Sequence, residues 1–221
     1  MKSTIAVLIP ARGGSKRLPG KNLMPLGGIP LINHSIQYAL SFKALFNGVF
    51  VSTDDHQIAN VASDAGAEVI MRPAEYASDE ATSASVAKHA LSYLPEGTNS
   101  IVLLQPTNPL RPMGMMEDLL DAYHTGFFDS IFTISPLHKK AGHINGKRFV
   151  PVNYHFGQRS QETDQLYFEN GLAYLSSVEV IRQNKIIGDQ HGTLVVDHIY
   201  GSVDIDTKDD LDYASYLFER C

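Results

Sequence analysis

Four cationic side chains lie within ten residues near the start of the sequence: Arg12, Lys16, Arg17 and Lys21. Three glycines lie among them. Glycine lets the backbone approach a ligand closely and adopt positive φ, and backbone N–H groups beside cations can bind phosphate. The segment follows Ile5–Ile9, a short apolar run typical of a buried strand. The sequence therefore predicts an anion-binding loop at the end of a strand, suited to the phosphates of a nucleotide.

The distribution of charge supports a small polyanion as the ligand. Residues 1–53 carry six basic and no acidic side chains, whereas the remainder carries a net charge of −12. The overall charge of −6 argues against general affinity for nucleic acid. The loop matches neither G-x-x-x-x-G-K-[ST] nor G-x-G-x-x-G, so P-loop and dinucleotide-binding chemistry are both disfavoured. Charge alone also allows a solvated basic loop.

Asp204 and Asp206 are the candidate metal ligands, two residues apart on the predicted strand Ser202–Ile205. With this spacing both carboxylates face one side of the strand while Ile205 faces the core. Two adjacent carboxylates are stabilised by a shared cation, and oxygen ligands suit Mg²⁺. The alternative is that Asp206 only begins the last helix. For Asp54 and Asp55, between a strand and a helix, helix capping is the better explanation.

The elements that must position these residues alternate between short apolar runs and helical stripes, which is typical of an α/β layered fold. The predicted strands are Ile5–Ile9, Gly48–Thr53, Glu68–Met71, Ser100–Gln105, Ser130–Ser135, Leu172–Leu175, Gly192–Val196 and Ser202–Ile205. Helical faces are predicted around residues 58–65, 86–94, 116–123 and 211–218. Gly66 is expected just past the first of these helices, and Thr207 with Asp210 predicts a capping box at the last.

Residues 136–170 break this rhythm and predict an excursion from the sheet, either a lid or an arm that contacts another subunit. We expect residues 1–221 to form one domain that includes this arm. The lone Cys221 allows no internal disulfide and lacks the context of a catalytic nucleophile. No apolar segment approaches the ~20 residues of a membrane helix, and no signal sequence is evident. A cytoplasmic protein is expected.

Successive blocks of the sequence resemble the CMP-sialic acid synthetases, the acylneuraminate cytidylyltransferases. The stretch Ala11-Arg-Gly-Gly-Ser-Lys16 with Leu18-Pro-Gly-Lys21-Asn22 is similar to the signature loop of that family. The order and spacing of the later blocks add to the resemblance: Val51-Ser-Thr-Asp54, Arg72-Pro-Ala-Glu75, Ser78-Asp79, Thr82-Ser83, Leu104–Arg111, Asn170-Gly171 and Val203–Thr207. Kdo cytidylyltransferases share the Leu-Pro-Gly-Lys portion and usually lack the Gln-Pro-Thr block, so the chain is placed on the sialic acid side.

The resemblance implies a Rossmann-like nucleotidyltransferase fold, with a mixed, mostly parallel sheet and an inserted dimerisation arm at 136–170. It implies transfer of CMP from CTP to the anomeric oxygen of a nine-carbon 2-keto sugar acid, with release of pyrophosphate. Mg²⁺ is the implied cofactor, CTP and a sugar acid are the implied ligands, and a homodimer is the implied assembly. Neither a nucleic acid nor a membrane is expected as a partner.

The resemblance also assigns roles to individual residues. Catalysis falls to Arg12, Lys16, Lys21, Asp204 and Asp206, the last two as metal ligands. The nucleotide is expected to contact Ala11, Arg12, Gly13, Ser15, Lys16 and Lys21 at its phosphates and Asn22, Arg72, Ala81 and Ser83 at cytosine. The sugar acid is expected to contact Gln105, Thr107, Asn108, Arg159 and Asn170. For Ser83 a helix cap, and for Gln105 and Thr107 a turn or bulge, are alternative roles.

Two positions depart from the family pattern. Phe168 stands where the family commonly has an arginine, which hints at a sugar acid other than N-acetylneuraminate; Lys140 is a possible compensating cation. Arg17 stands where glycine is more common. Three alternative functions remain open: activation of Kdo or another acidic sugar, a nucleotide-binding module without chemistry, and an NAD-dependent dehydrogenase. The missing dinucleotide motif disfavours the last.

Overall fold

The computed structural model describes residues 4–220, which form one large sheet with helices on both faces. The strands are β1 (Ile5–Pro10), β2 (Pro25–Leu26), β3 (Ile29–Pro30), β4 (Gly48–Thr53), β5 (Glu68–Met71), β6 (Ser100–Leu103), β7 (Ser130–Leu137), β8 (Gly142–Asn145), β9 (Arg148–Pro151), β10 (Leu166–Ser177) and β11 (His191–Val195). The α-helices are α1 (Leu31–Ser41), α2 (His56–Asp64), α3 (Ser83–Ala90), α4 (Met115–His124), α5 (Val178–Arg182) and α6 (Lys208–Phe218).

The large sheet has seven strands in the order β11-β7-β10-β6-β1-β4-β5. Strand β10 runs antiparallel to both of its neighbours, and the other pairings are parallel. The expectation of a mixed, mostly parallel sheet is therefore confirmed. The carboxyl ends of β1, β4 and β6 lie at one edge of the sheet, the edge at which open α/β sheets bind ligands.

Strand β1 is buried on both faces because its side chains alternate between two apolar clusters. Val7 and Ile9 pack in the cluster that includes residues of α1, α2 and α4. Ala6 and Leu8 pack in the cluster that includes residues of α3 and α5. A continuous apolar run is what a parallel strand covered by helices requires, so the first strand is fixed firmly at the base of the glycine-rich loop.

A third apolar cluster holds the polar segments of the site in place. It contains Leu18 of the glycine-rich loop, Val203 and Ile205 on either side of Asp204, and residues of α6. Ile205 is fully buried, and its N–H donates to the Thr107 carbonyl at 2.8 Å. Burying one such aliphatic side chain contributes about 1.5–3 kcal/mol. Hydrophobic burial thus positions Asp204 and Asp206 next to the loop.

Local signals at the helix ends account for several boundaries. The Asp55 carboxylate caps α2 by accepting from the N–H groups of Gln57 and Ile58 at 2.7 and 3.0 Å. Gly66 follows α2 with φ of +95°, and the capping box of Thr207 and Asp210 is present at the start of α6. The capping predictions for Asp55, Gly66 and α6 are confirmed.

The excursion from the sheet is more regular than its sequence suggested. Strand β7 continues to Leu137 and β10 already begins at Leu166, and the antiparallel hairpin β8–β9 lies between them. Several large apolar side chains of this region are exposed: Ile144, Phe149, Val152, Phe156 and Tyr167. The region 136–170 therefore includes strand ends of the main sheet as well as a hairpin that leaves it.

Two further expectations about the elements were wrong. Residues 202–205 do not form a strand: a 3₁₀ turn covers Ile199–Ser202, and residues 203–205 extend without joining a ladder. Helix α1 was missed, although Ile32, Ile36 and Ala39 have helical spacing and are fully buried. Lys2 and Cys221 lie outside the described residues. Among residues 4–220 there is no helix long and apolar enough to cross a membrane.

Candidate active site

A cavity of about 470 Å³ opens at the carboxyl edge of the sheet. Its lining combines the glycine-rich loop, the segment around Arg72–Ser83, the end of β6 and Asp206. The predicted site residues that line it are Arg12, Ser15, Lys16, Lys21, Asn22, Arg72, Ala81, Ser83, Gln105, Thr107 and Asp206. Eleven of the predicted site residues, far apart in sequence, are thus brought together.

Two hydrogen bonds tie the glycine-rich loop to strand β4 and the residue after it, and a third braces the loop internally. The Gly13 N–H donates to the Asp54 carboxylate at 3.1 Å, and the Ala11 N–H donates to the Ser52 carbonyl at 2.9 Å. The buried Asn22 amide donates to the Arg12 carbonyl at 2.9 Å. Asp54 therefore anchors the loop, and the prediction that it caps the helix was wrong. Ala11 and Gly13 shape the loop from behind and do not line the cavity.

The four loop cations are paired with two carboxylates that also line the cavity. Arg12 lies 3.0 Å from Asp79, which also pairs with Lys16. Asp206 lies 2.9 Å from Lys21 and 2.7 Å from Arg17. The Lys21 side chain is only 11% exposed, whereas that of Lys16 is 77% exposed. Buried pairs are screened far less than exposed ones, so Lys21 and Asp206 form the firmer contact.

The end of the cavity around Arg72 suits a nucleobase. Arg72 is only 7% exposed, and its Nε lacks a hydrogen-bond partner within residues 4–220. Burial lowers the pKa of Arg72. Tyr76 lines the same end, and its ring packs 4.7 Å from that of His89. A cavity that contains both an unpartnered buried donor and an aromatic ring can bind a planar ligand that carries hydrogen-bond acceptors.

Ser83 does not cap helix α3, so its hydroxyl has no capping role. The cap of α3 is Thr82, whose hydroxyl accepts from the Ser85 N–H at 3.1 Å. Ser83 is the first residue of the helix and lines the cavity beside Ala81. The helix-cap alternative for Ser83 was wrong, and its position is compatible with contact to a base.

A second cavity, of about 380 Å³, meets the first at Gln105. Its lining includes Asn108, Phe168, Glu169, Asn170 and Asp204. None of its lining residues within the described chain is a lysine or an arginine. Two carboxylates and two aromatic residues, Phe168 and Tyr174, therefore line this space, which offers hydrogen-bond acceptors without a cation.

The predicted sugar contacts Asn108 and Asn170 are held by the protein itself. The Asn108 amide donates to the carbonyls of Asn170 and Val203 at 2.9 and 2.7 Å. The Asn170 side chain bonds to the hydroxyls of Thr133 and Ser135. Both residues are at least 95% buried. They fix the wall of the second cavity, so Gln105 and Thr107 are the more available side chains.

A residue that the sequence analysis did not single out, Arg111, fixes the loop after β6. Its guanidinium donates to the carbonyls of Leu172 and Gln105 at 2.7 and 2.9 Å, and to the Ser35 hydroxyl at 2.9 Å. Burial lowers the pKa of Arg111 to about 10, so the group is charged at neutral pH. A buried arginine with three acceptors holds the Gln105 backbone at the junction of the two cavities.

The two candidate metal ligands lie on either side of this junction. Asp204 lines the second cavity and Asp206 the first. The pKa of Asp204 is raised, chiefly by burial; a hydrogen bond from Thr107 opposes this shift, and the charge of Asp206 adds to it. A cation would relieve the repulsion between the two carboxylates. The donor set therefore fits Mg²⁺, although residues 4–220 contain no cluster of three or more acidic, His or Cys side chains arranged for a metal.

The predicted carboxylate clamp, Arg159, is not brought to either of these cavities within the same chain. It is exposed in the excursion, at the start of a 3₁₀ turn over Ser160–Glu162. Lys140, the possible compensating cation, lies in the same region, 5.0 Å from the ring of Tyr154. Phe168 does line the second cavity, where the family commonly has an arginine.

Comparison with known sequences places this site in a family. A sequence profile described as cytidylyltransferase matches residues 6–211. The chain belongs to the cytidylyltransferase family. Among its relatives, the CMP-N,N'-diacetyllegionaminic acid synthase of Legionella pneumophila is 32% identical, over 97% of this chain and 96% of its own length. The pseudaminic acid cytidylyltransferase of Campylobacter jejuni is 28% identical over 96% of this chain and 95% of its own.

Longer cytidylyltransferases are also related. The N-acylneuraminate cytidylyltransferase of Streptococcus agalactiae serotype III is 32% identical over 92% of this chain. The chain spans about half, 50%, of the length of that relative. The predicted resemblance to this group is confirmed.

Solved structures confirm the fold of this chain. CMP:2-keto-3-deoxy-manno-octonic acid synthetase, in a complex with CTP, superposes with a TM-score of 0.75 over 99% of both chains at 18% identity. The 4-diphosphocytidyl-2C-methyl-D-erythritol synthase of Anaerococcus prevotii gives 0.72 over 100% of both chains at 12% identity. The expected Rossmann-like nucleotidyltransferase fold is thus confirmed.

Proposed function

We propose that this chain transfers CMP from CTP to a nine-carbon 2-keto sugar acid of the sialic acid type. The anomeric hydroxyl of the acid loses its proton to solvent and its oxygen bonds to the α-phosphorus. The bond from that phosphorus to the oxygen that bridges it to the β-phosphate breaks, and pyrophosphate leaves. The observation that carries the proposal is the pairing of two cavities at Gln105, one rich in cations and the other rich in acceptors. Family membership supports the same reaction class.

The cations of the loop are proposed to bind the triphosphate. Arg12, Lys16 and Lys21 line the first cavity and can neutralise charge on the phosphates as the bond to pyrophosphate breaks. Lys21 is the best placed for this task because it is largely buried beside Asp206. A group fixed before the reaction stabilises developing charge without having to reorganise.

The cytosine ring is proposed to occupy the end of the cavity formed by Arg72, Tyr76, Ala81 and Ser83. The unpartnered Nε of Arg72 supplies a donor for the acceptor atoms of the base. Buried donors of this kind discriminate strongly against ligands that leave them unpaired. Asn22, whose amide also braces the loop, lies on the boundary between the base and the phosphates.

The sugar acid is proposed to lie in the second cavity, with Gln105 and Thr107 at its junction with the nucleotide. Because no cation lines that cavity in the described chain, its carboxylate requires a cation from elsewhere. A homodimer in which the excursion 136–170 of one subunit carries Arg159 to the cavity of the other would supply it. The exposed apolar side chains of the excursion, such as Ile144 in the hairpin and Phe156 after it, support such an interface.

Asp204 and Asp206 are proposed to hold Mg²⁺ together with the triphosphate. Mg²⁺ is commonly bound by one or two carboxylates, substrate phosphates and water, so two aspartates suffice as the protein ligands. When bound, the ion would neutralise phosphate charge and orient the α-phosphate. Since CTP is the proposed substrate, the reaction is proposed to take place in the cytoplasm.

The function is tested by measuring pyrophosphate release from CTP with a panel of acids: N-acetylneuraminate, N,N'-diacetyllegionaminate, pseudaminate and Kdo. We expect release with at least one nine-carbon acid, and none with ATP, GTP or UTP or without an acid. Phe168 in the second cavity favours a nine-carbon acid other than N-acetylneuraminate. Release with Kdo alone would support the alternative substrate class, and no release with any acid would contradict the proposal.

A further inference from the structure

Asp79 forms ion pairs with Arg12 and Lys16, two of the cations proposed to bind the nucleotide. One carboxylate oxygen lies 3.0 Å from Arg12 Nη1 and the other pairs with Lys16 Nζ. Arg12 also donates to the carbonyl of Ser78 at 3.1 Å. Both cations and Asp79 line the first cavity. A carboxylate that bridges two cations has the charge and the oxygen spacing with which a phosphate group would bind them.

The Asp79 carboxylate is ionised and is free to leave. The hydrogen bond from Lys16 lowers the pKa of Asp79, and the bond from Arg12 lowers it further, so the group is an anion at neutral pH. The side chain is 46% exposed, on the turn between the 3₁₀ turn Ala74–Ala77 and α3. Water can therefore solvate the carboxylate when another anion takes its place.

Asp206, the other carboxylate paired with the loop, is less exposed than Asp79 and therefore less easily displaced. Its side chain is 27% exposed and is joined to the buried Lys21. It also lies next to Asp204 across the junction of the cavities. Asp79 is the carboxylate that pairs with Arg12 and Lys16. The neighbouring carboxylate, Glu80, forms no ion pair with either cation among the described residues.

We propose that Asp79 is an internal competitor for phosphate: its carboxylate holds Arg12 and Lys16 in the free protein, is displaced by the phosphates of CTP, and returns as pyrophosphate leaves. The inference rests on the proposed function and extends it to product release. Competition of this kind lowers the affinity for CTP and for pyrophosphate alike. It also prevents Arg12 and Lys16 from retaining the product.

The test is calorimetric binding of inorganic pyrophosphate, and separately of CTP, to the wild type and to Asp79→Asn, with a chelator present and no sugar acid. We expect Asp79→Asn to bind both ligands about two- to tenfold more tightly, the range that loss of two exposed ion pairs allows. Asp79→Glu, which keeps the charge, should stay near the wild type. Glu80→Gln is the matched control, because it removes one charge from the neighbouring position.

Each outcome decides the question. Tighter binding by Asp79→Asn, with Asp79→Glu near the wild type and without a similar change in Glu80→Gln, supports the competitor. Weaker or unchanged binding by Asp79→Asn would mean that Asp79 only positions the cations, and an equal gain in Glu80→Gln would mean a general charge effect; both overturn the inference. Failure of the wild type and of every variant to bind either ligand, both with the chelator and with magnesium chloride in its place, overturns the proposed function as well. Thermal unfolding of each variant establishes that it is folded.

Discussion

Replacing Arg111 by lysine tests whether one buried guanidinium holds the junction of the two cavities. The guanidinium donates to three acceptors that lie in different directions: two backbone carbonyls, of Leu172 and Gln105, and the hydroxyl of Ser35. Lysine keeps the charge but gathers its donors on one atom at the end of a flexible chain. It cannot reach all three acceptors from the position of Arg111.

The expected loss follows from the acceptors left unpaired. A hydrogen bond to a charged group contributes about 1.5–3 kcal/mol, and an unsatisfied buried group costs about 1–3 kcal/mol. If lysine retains one bond and loses two, the free energy of unfolding should fall by about 3–5 kcal/mol. Because the whole stability of a domain is only about 5–15 kcal/mol, a loss of this size should be evident.

Urea unfolding followed by circular dichroism measures this loss, at one protein concentration for all variants. Arg182→Lys is the matched control, since Arg182 is exposed on α5 with a single ion pair to Glu179 at 3.5 Å. Its expected loss is at most about 0.5 kcal/mol. A loss below about 1 kcal/mol for Arg111→Lys, or one equal to the control, would refute the assignment of Arg111 as the residue that fixes the loop.

Three further variants address the proposed site. Gly171→Ala places a Cβ 2.7 Å from the buried amide oxygen of Asn108, at a φ of +71°. The control Gly126→Ala has a similar φ of +77° but meets no atom within 4 Å. Only Gly171→Ala should raise the KM for the acid, and equal effects of the two variants would contradict this. Asp206→Asn should abolish most turnover, and full activity at ordinary magnesium concentration would remove the metal assignment. Arg159→Lys should raise the KM for the acid about ten- to a hundredfold with calorimetric CTP affinity unchanged; equal weakening of both ligands would place Arg159 elsewhere.

The elements with strong local signals were predicted well. The limits of β4 and β5 match the prediction, and the apolar period located α2, α3, α4 and α6. Helix α1 was not predicted because it lacks the usual signals of a helix start: Pro30 before it provides no side-chain cap, and its first turn contains no acidic residue. Residues 202–205 have the alternating burial of a strand, with Val203 and Ile205 inside. A strand also requires a partner, and pairing depends on distant segments that the local pattern does not reveal.

The site was predicted in part, for a related reason. Resemblance selected the cations and the residues of the base pocket, and the fold brings them to one cavity. The partners of those cations were not foreseen. Asp79 meets Arg12 from 67 positions away and Asp206 meets Lys21 from 185 away. Ion pairs between such distant positions depend on the tertiary fold, so no spacing rule within the sequence could have indicated them.

The way Arg111 holds its loop bears on how the specificity of such a protein can change during evolution. Two of its three acceptors are backbone carbonyls, which every amino acid provides. Substitutions at Gln105 or Phe168 can therefore alter the surface offered to a sugar while the frame beneath it stays intact. Loops placed by a rigid scaffold are where proteins commonly acquire new ligands. In this fold Arg111 fixes the backbone of the site, and the side chains carried by that backbone can change the substrate preference.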